Sequence, residues 1–216
     1  MASLTGQSIA SSYEQLLQVD RDGGGNSTTL VDVKDGDGGT TFALKLATDK
    51  IQVNGSIDLT GGQIKFPESQ SASADGNTLD DYETGNWTPI LAEYADIDDN
   101  MALHADSGGI YTKIGDMVTC SCYIQVTGAD DADNAAMGVH GLPFTVKNVA
   151  GAKSGIAIGE NYNLNLASGA RLGGFAVGNT TIVILKELTN NSYSTLLRDE
   201  ISTNAFFSFS ITYTVA

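Results

Sequence analysis

Hydrophobic and polar residues alternate with a period of two along much of the second half of the chain. Over 117–127, Val118, Cys120, Cys122, Ile124 and Val126 fall on one face, and Thr119, Ser121, Tyr123, Gln125 and Thr127 on the other. Successive strand side chains point to opposite faces, so this pattern predicts a half-buried β-strand. The C-terminus repeats it, with Phe207, Phe209, Ile211, Tyr213 and Val215 set against Phe206, Ser208, Ser210, Thr212 and Thr214. Shorter apolar runs predict strands over 155–158, 164–167, 173–177 and 181–185. Gly-, Asn- and Asp-rich connections separate them at the spacing of a sandwich or jelly roll. The expected fold is mainly β: a C-terminal antiparallel β-sandwich or jelly roll, preceded by a short helix and a small N-terminal β segment, in an oligomer.

The first third of the chain reads differently. Ile9, Tyr13, Leu16 and Leu17 fall on one face of a helix over 9–19. About three turns cannot stand alone, so this face should dock on a partner surface. Short β-prone pieces follow over 28–33, 41–47, 50–53, 56–59 and 63–66, separated by Gly-rich turns. They carry few large apolar residues, Phe42, Leu44 and Leu46 among them. Strands this short and few need neighbouring chains to cover them. Ile9, Tyr13, Leu16, Leu17, Phe42, Leu44 and Leu46 are therefore the expected contacts with other subunits. Residues 67–85 lack apolar periodicity and read as a linker. The resulting division is 1–66, an anchoring segment; 67–85, a linker; and 86–216, the β domain. Tyr82 and Trp87 sit at the domain entry, where they could pin the linker to the domain or stack on a sugar; pinning is the favoured reading.

Composition narrows the function. With 25 Gly, 3 Pro and 17% charged residues, the 216-residue chain suits strands and tight turns rather than a helical bundle. Its formal net charge of −15 repels phosphate backbones and anionic lipid, which argues against nucleic acid and membrane insertion. Cys120 and Cys122 share one strand face, where a disulfide between them is poorly placed. Two buried thiols fit assembly in a reducing cytoplasm. No basic region followed by an apolar run suggests a signal peptide, and no stretch approaches the ~20 apolar residues of a spanning helix.

Candidate chemistry is sparse. His104 and His140 have no partner at zinc-ligand spacing, and the common hydrolase and phosphate-loop motifs are missing. The acidic runs at 80–83, 96–100 and 130–134 are local, whereas glycosidase carboxylates face each other across a groove at about 5–10 Å. An enzyme is not expected, nor a cofactor. Calcium is the one metal candidate: Asp96, Asp98 and Asn100 match the opening of a D-x-D-x-N loop. Met101 stands where that loop needs Gly, and Ser107 where it needs Glu. Solvated acidic turns are the favoured reading.

Three stretches resemble a known class. Asn77-Thr78-Leu79-Asp80-Asp81-Tyr82-Glu83-Thr84-Gly85-Asn86-Trp87-Thr88-Pro89 resembles an LDDYE-x-G-x-WTP signature of tail-fibre and related virion proteins of tailed bacteriophages. Gly109-Ile110-Tyr111-Thr112-Lys113-Ile114-Gly115-Asp116-Met117-Val118-Thr119 resembles the GxYTKIGxxVT strand entry that follows it there, and Gly141-Leu142-Pro143-Phe144 matches the GLPF element. A weaker likeness links 8–19, 33–38 and 42–46 to the starts of phage structural proteins. The resemblance implies a virion location, a homotrimer, other phage virion proteins as partners and an outward-facing C-terminal β domain. It supplies no catalytic residue. The chain departs from long fibres in lacking an extended shaft.

Two roles follow. One is a short trimeric fibre or spike subunit for host attachment, with loops over 96–109 and 127–138 presenting Asp99, His104, Asp130 and Asp133 to a host surface glycan or protein. The alternative is a capsid decoration, cement or head-fibre protein that stabilises the phage head.

Overall fold

A computed structural model describes residues 17–19, 29–35, 39–66, 79, 82–128, 134–150 and 153–215. The chain divides into two units, 1–65 and 66–216.

Among its described residues the first unit holds four short antiparallel strands in chain order: β1 (Leu17–Val19), β2 (Val31–Asp35), β3 (Thr41–Leu46) and β4 (Ile51–Val53). The expected helix is corrected at its C-terminal end, because Leu17, Gln18 and Val19 pair in a ladder with Asp35, Lys34 and Val33. That ladder satisfies their backbone groups without helical turns. Ile9, Tyr13 and Leu16 lie outside the described residues. The expected strands over 56–59 and 63–66 are irregular backbone instead. Asp58 Oδ1 accepts from the Thr60 N–H (3.0 Å) and hydroxyl (2.5 Å), and Gly62 N–H donates to the Leu59 carbonyl (2.8 Å). Such side-chain turns compete with strand pairing.

The second unit is a two-sheet antiparallel β structure. Its strands are β5 (Tyr82–Trp87), β6 (Ile90–Glu93), β7 (Asp96–Asn100), β8 (Gly108–Ile114), β9 (Met117–Gln125), β10 (Met137–His140), β11 (Ile156–Leu164), β12 (Arg171–Ala176), β13 (Val183–Leu188), β14 (Tyr193–Thr195) and β15 (Ile201–Thr214). A 3-10 turn, Arg198–Glu200, precedes β15. One sheet runs β11-β15-β9-β8-β5. The other runs β12-β13-β10-β6-β7, with β14 also pairing to β13.

The core lies between the inner faces of these sheets. Val118, Cys120, Cys122, Ile124, Phe207, Phe209, Ile211 and Tyr213 come from the five-stranded sheet, and Leu91, Val139, Val183 and Leu185 from the other. These are the alternating apolar positions of β9 and β15, as the period of two requires. Three further expectations are corrected. Residues 82–85 belong to β5, paired to β8 from Tyr82↔Ile114 to Trp87↔Gly109, so the linker reading runs too far. Residues 96–100 form strand β7 rather than acidic turns, because Ala92↔Asn100 and Glu93↔Asp96 pair it to β6. Residues 165–167 do not make a separate strand; the ladder reaches Leu164, and Asn165 N–H then donates to the Glu200 carbonyl.

Candidate functional site

The three stretches that carry the phage resemblance converge on one patch of the five-stranded sheet. Cross-strand pairing sets Trp87 opposite Gly109, and Gly85 opposite Tyr111. Each aromatic ring lies over the glycine across from it. A Cβ on Gly109 would stand 2.2 Å from Trp87 Nε1, and one on Gly85 would stand 2.7 Å from the Tyr111 ring. The Trp87 indole N–H donates to the Ser121 carbonyl at 3.2 Å, and its ring joins the core. The Tyr111 hydroxyl donates a short hydrogen bond to Glu83 Oε1. Its ring meets Phe144 edge-on at 5.4 Å, and Lys113 Nζ stands 5.6 Å from the Phe144 centroid. Motifs separated by tens of residues are thus one packing unit that clamps the edge strand β5 to its sheet.

Tyr82, at the start of β5, is exposed, with its ring 6.3 Å from that of Phe66. In the first unit Leu17 and Phe42 are exposed, and Leu44 and Leu46 are half-buried. Asp96, Asp98 and Asn100 lie in β7, whose residues are all exposed. Asp98 N–H donates to Asp96 Oδ1 at 3.0 Å, and Asn100 Nδ2 donates to the Ile97 and Asp98 carbonyls. Among the described residues no group of three or more His, Cys, Asp or Glu could hold a metal. Asp99 is tied to buried Arg198, its Oδ1 2.9 Å from Nη1, with Glu93 Oε1 at 3.8 Å. His104 Nδ1 stands 3.2 Å from Asp106 Oδ2. His140 is buried, its Nε2 2.9 Å from the Glu93 carbonyl. Asp130 and Asp133 lie outside the described residues. Asp99 and His104, the described members of that set, each pair with a different neighbour. Arg198, which fastens β7 to the 3-10 turn, carried no signal in the sequence.

Both cysteines are free and buried. Burial pushes the Cys120 thiol up to about 11 and the Cys122 thiol up to about 12. Both stay protonated at neutral pH, which makes them poor nucleophiles.

The outer face of the same sheet carries mostly small or uncharged side chains. Register and alternation align Thr84, Thr112, Thr119 and Thr212 in one row across β5, β8, β9 and β15. The Thr119 and Thr212 hydroxyls are 3.0 Å apart. The adjoining row runs Asn86, Ile110, Ser121, Ser210 and Ala157. Small side chains leave two shallow hollows of about 530 and 310 Å³ that share Ser121 and Cys122. Ile110 is exposed within the row, Tyr82, Ile114 and Met117 are exposed at one border, and Tyr162 stacks on Phe206 at 5.2 Å at the other. Among the described strand residues on this face, Glu160 alone is charged.

No family model matches the chain, and no curated protein does. Among solved structures the chain is similar to the Dettilon tailspike protein, with a TM-score of 0.51 at 14% identity. The match covers 62% of this chain and 24% of the tailspike. At that identity the likeness is one of fold.

Proposed function

We propose that the chain is a non-enzymatic structural subunit of a phage virion, a short fibre or spike component that works as a homotrimer and presents its β domain for host attachment. The observation that carries assembly is the uncovered apolar surface of the first unit. Among its described residues Val33 alone is buried, while Leu17, Phe42, Ile51, Ile57, Leu59 and Ile64 are exposed. Apolar surface left open on this scale is stabilised by contact with other chains.

The occupant proposed for the outer face of the five-stranded sheet is a second copy of this chain. A net charge of −15 makes like subunits repel, and they approach most easily where carboxylates are missing. A face with one carboxylate, a threonine row and apolar borders meets that condition. The shared fold with part of a tailspike supports placing the subunit on a tail, as do the three converging motifs. The buried thiols fit assembly in the host cytoplasm before release.

Competition tests the attachment role. Full-length protein, added to host cells at micromolar concentration, is expected to slow adsorption of the phage that encodes it. Unchanged adsorption, with the protein shown to be folded, contradicts attachment.

A further inference from the structure

We infer that the outer face of the six-stranded sheet carries a binding site for an acidic saccharide, one bearing uronate carboxylates. This deepens the attachment reading above and rests on it.

The site is a hollow of about 390 Å³ lined by Lys153, Gly174, Phe175, Lys186, Leu188 and Tyr193. Its size falls within the range of small-ligand pockets. Phe175, Lys186 and Leu188 alternate onto the outer face through the pairs Gly173↔Lys186 and Arg171↔Leu188, and Tyr193 reaches it from β14 opposite Leu188. Lys153 comes from the segment before β11.

Each lysine is held over an aromatic ring. Lys153 Nζ stands 4.4 Å from the Phe175 centroid, and Lys186 Nζ 5.6 Å from that of Tyr193. A ring face holds an ammonium near one position and leaves N–H donors free for an anion. Among the described residues neither lysine has a carboxylate partner, in a chain with 26 acidic residues and 11 basic ones. Among the described residues no carboxylate lines the hollow either. Two cations spared from ion pairing in so acidic a chain need another reason to sit together, and an anionic ligand supplies it.

The walls decide between a bare anion and a sugar. Phe175, Leu188 and Tyr193 offer apolar surface, and Tyr193 is 75% exposed. A pyranose ring presents C–H faces to aromatic side chains, whereas phosphate or sulfate gains nothing from them. A neighbouring hollow of about 300 Å³ shares Lys153 and Phe175 and adds Lys147 and Asn148, which gives room for more than one sugar ring. Lys147 Nζ there stands 3.7 Å from Asp116 Oδ2.

The test uses the full chain, with tetragalacturonate as probe, maltotetraose as its neutral counterpart and inorganic phosphate as a bare anion. Titration is followed by calorimetry and by amide shifts in NMR. The uronate is expected to bind in the millimolar range or tighter, with shifts centred on Phe175, Lys186 and Tyr193, and to weaken as salt rises. The K153Q/K186Q double variant should lose about tenfold in affinity, the scale of one charge-assisted contact. Lys186→Arg should retain binding, which guards against a variant that misfolds. Equal binding of maltotetraose, equal binding of phosphate, binding untouched by K153Q/K186Q, or no binding at millimolar probe would each overturn the inference. These results concern the hollow alone. Labelling that places the chain away from the tail would contradict the attachment reading while leaving measured uronate binding intact.

Discussion

At the residue scale, the decisive contacts are those in which one side chain occupies space a neighbour gives up. Gly109→Ala would drive a methyl into Trp87 Nε1 and to 2.8 Å from the Ser121 carbonyl oxygen, which is backbone and cannot swing aside. Overpacking of this kind costs about 1–3 kcal/mol. Thermal melts of the variant should show a lower Tm, with Trp87 fluorescence shifted to the red. A melt unchanged from the parent contradicts the clamp.

Ionisation gives a second residue-scale prediction. Burial raises Cys120 and Cys122 from 9.0 to about 11 and about 12. The hydrogen bond to Glu83, followed by burial, raises Tyr111 from 10.0 to about 12. In each case the folded chain holds its proton where the unfolded chain has begun to lose it. Their stabilising contribution is therefore complete below the ordinary values and is lost as pH rises through the folded ones. Tm should stay level for these groups up to about pH 8.5 and decline from about pH 9 upward, in line with ordinary thiol and phenol ionisation. A Cys120→Ala/Cys122→Ala chain should begin its decline nearer pH 10, where Tyr111 takes over. The same onset in both chains contradicts the thiol assignment.

At the scale of elements, β9 and β15 were legible because each is a long strand with one face on the core and the other outward, the arrangement that writes a period of two into sequence. The rest was less so, for identifiable reasons. In β5, Tyr-Glu-Thr-Gly-Asn-Trp places a glycine where an apolar side chain would mark the inner face, since Tyr111 fills that space from across the ladder. Strand β7 is exposed throughout and acidic, so it reads as a turn. Every residue of β10 is buried, so its two faces do not differ. In the first unit, β1 is three residues long and its partner β2 lies beyond the Gly-rich stretch 20–30 in the sequence, so local helical spacing around Leu17 outweighed the tertiary contact.

The placement of β5 also changes what truncation should do. Residues 66–216 are expected to unfold cooperatively with a Tm near that of the full chain. Starting instead at Asn86 removes Glu83 and Gly85, and with them the Tyr111 hydrogen bond and four of the six β5–β8 residue pairs. That shorter form should melt several degrees lower, about 4–8 °C per kcal/mol lost for a domain of up to ~100 residues and less for a larger one. Equal Tm values for the two forms contradict a structural role for 82–85.

At the scale of the whole molecule, the uneven distribution of charge adds a second guide to assembly beside the exposed apolar residues of the first unit. An acidic chain that keeps one broad sheet face nearly free of charge can associate through that face while its remaining surface resists aggregation. Ser210 and Thr119 lie near the centre of the face and point away from the core, so acidic residues there should spare the fold. The double variant Thr119→Glu/Ser210→Glu is expected to run as a monomer in light-scattering chromatography with its strand content intact, while the parent runs as a trimer. A monomeric parent contradicts the assembly proposal, and a variant that stays trimeric moves the interface elsewhere. Much of this reading was present in the sequence as composition and motif. The face itself was not, because it takes four strands from distant parts of the chain to align the Thr84, Thr112, Thr119 and Thr212 row.

The tail location proposed for this fibre or spike subunit is open to immunogold labelling of intact virions with antibody raised against residues 66–216. Gold confined to the tail or its tip is the predicted result. Gold spread over the head would contradict it and would make the chain a decoration or head-fibre protein instead.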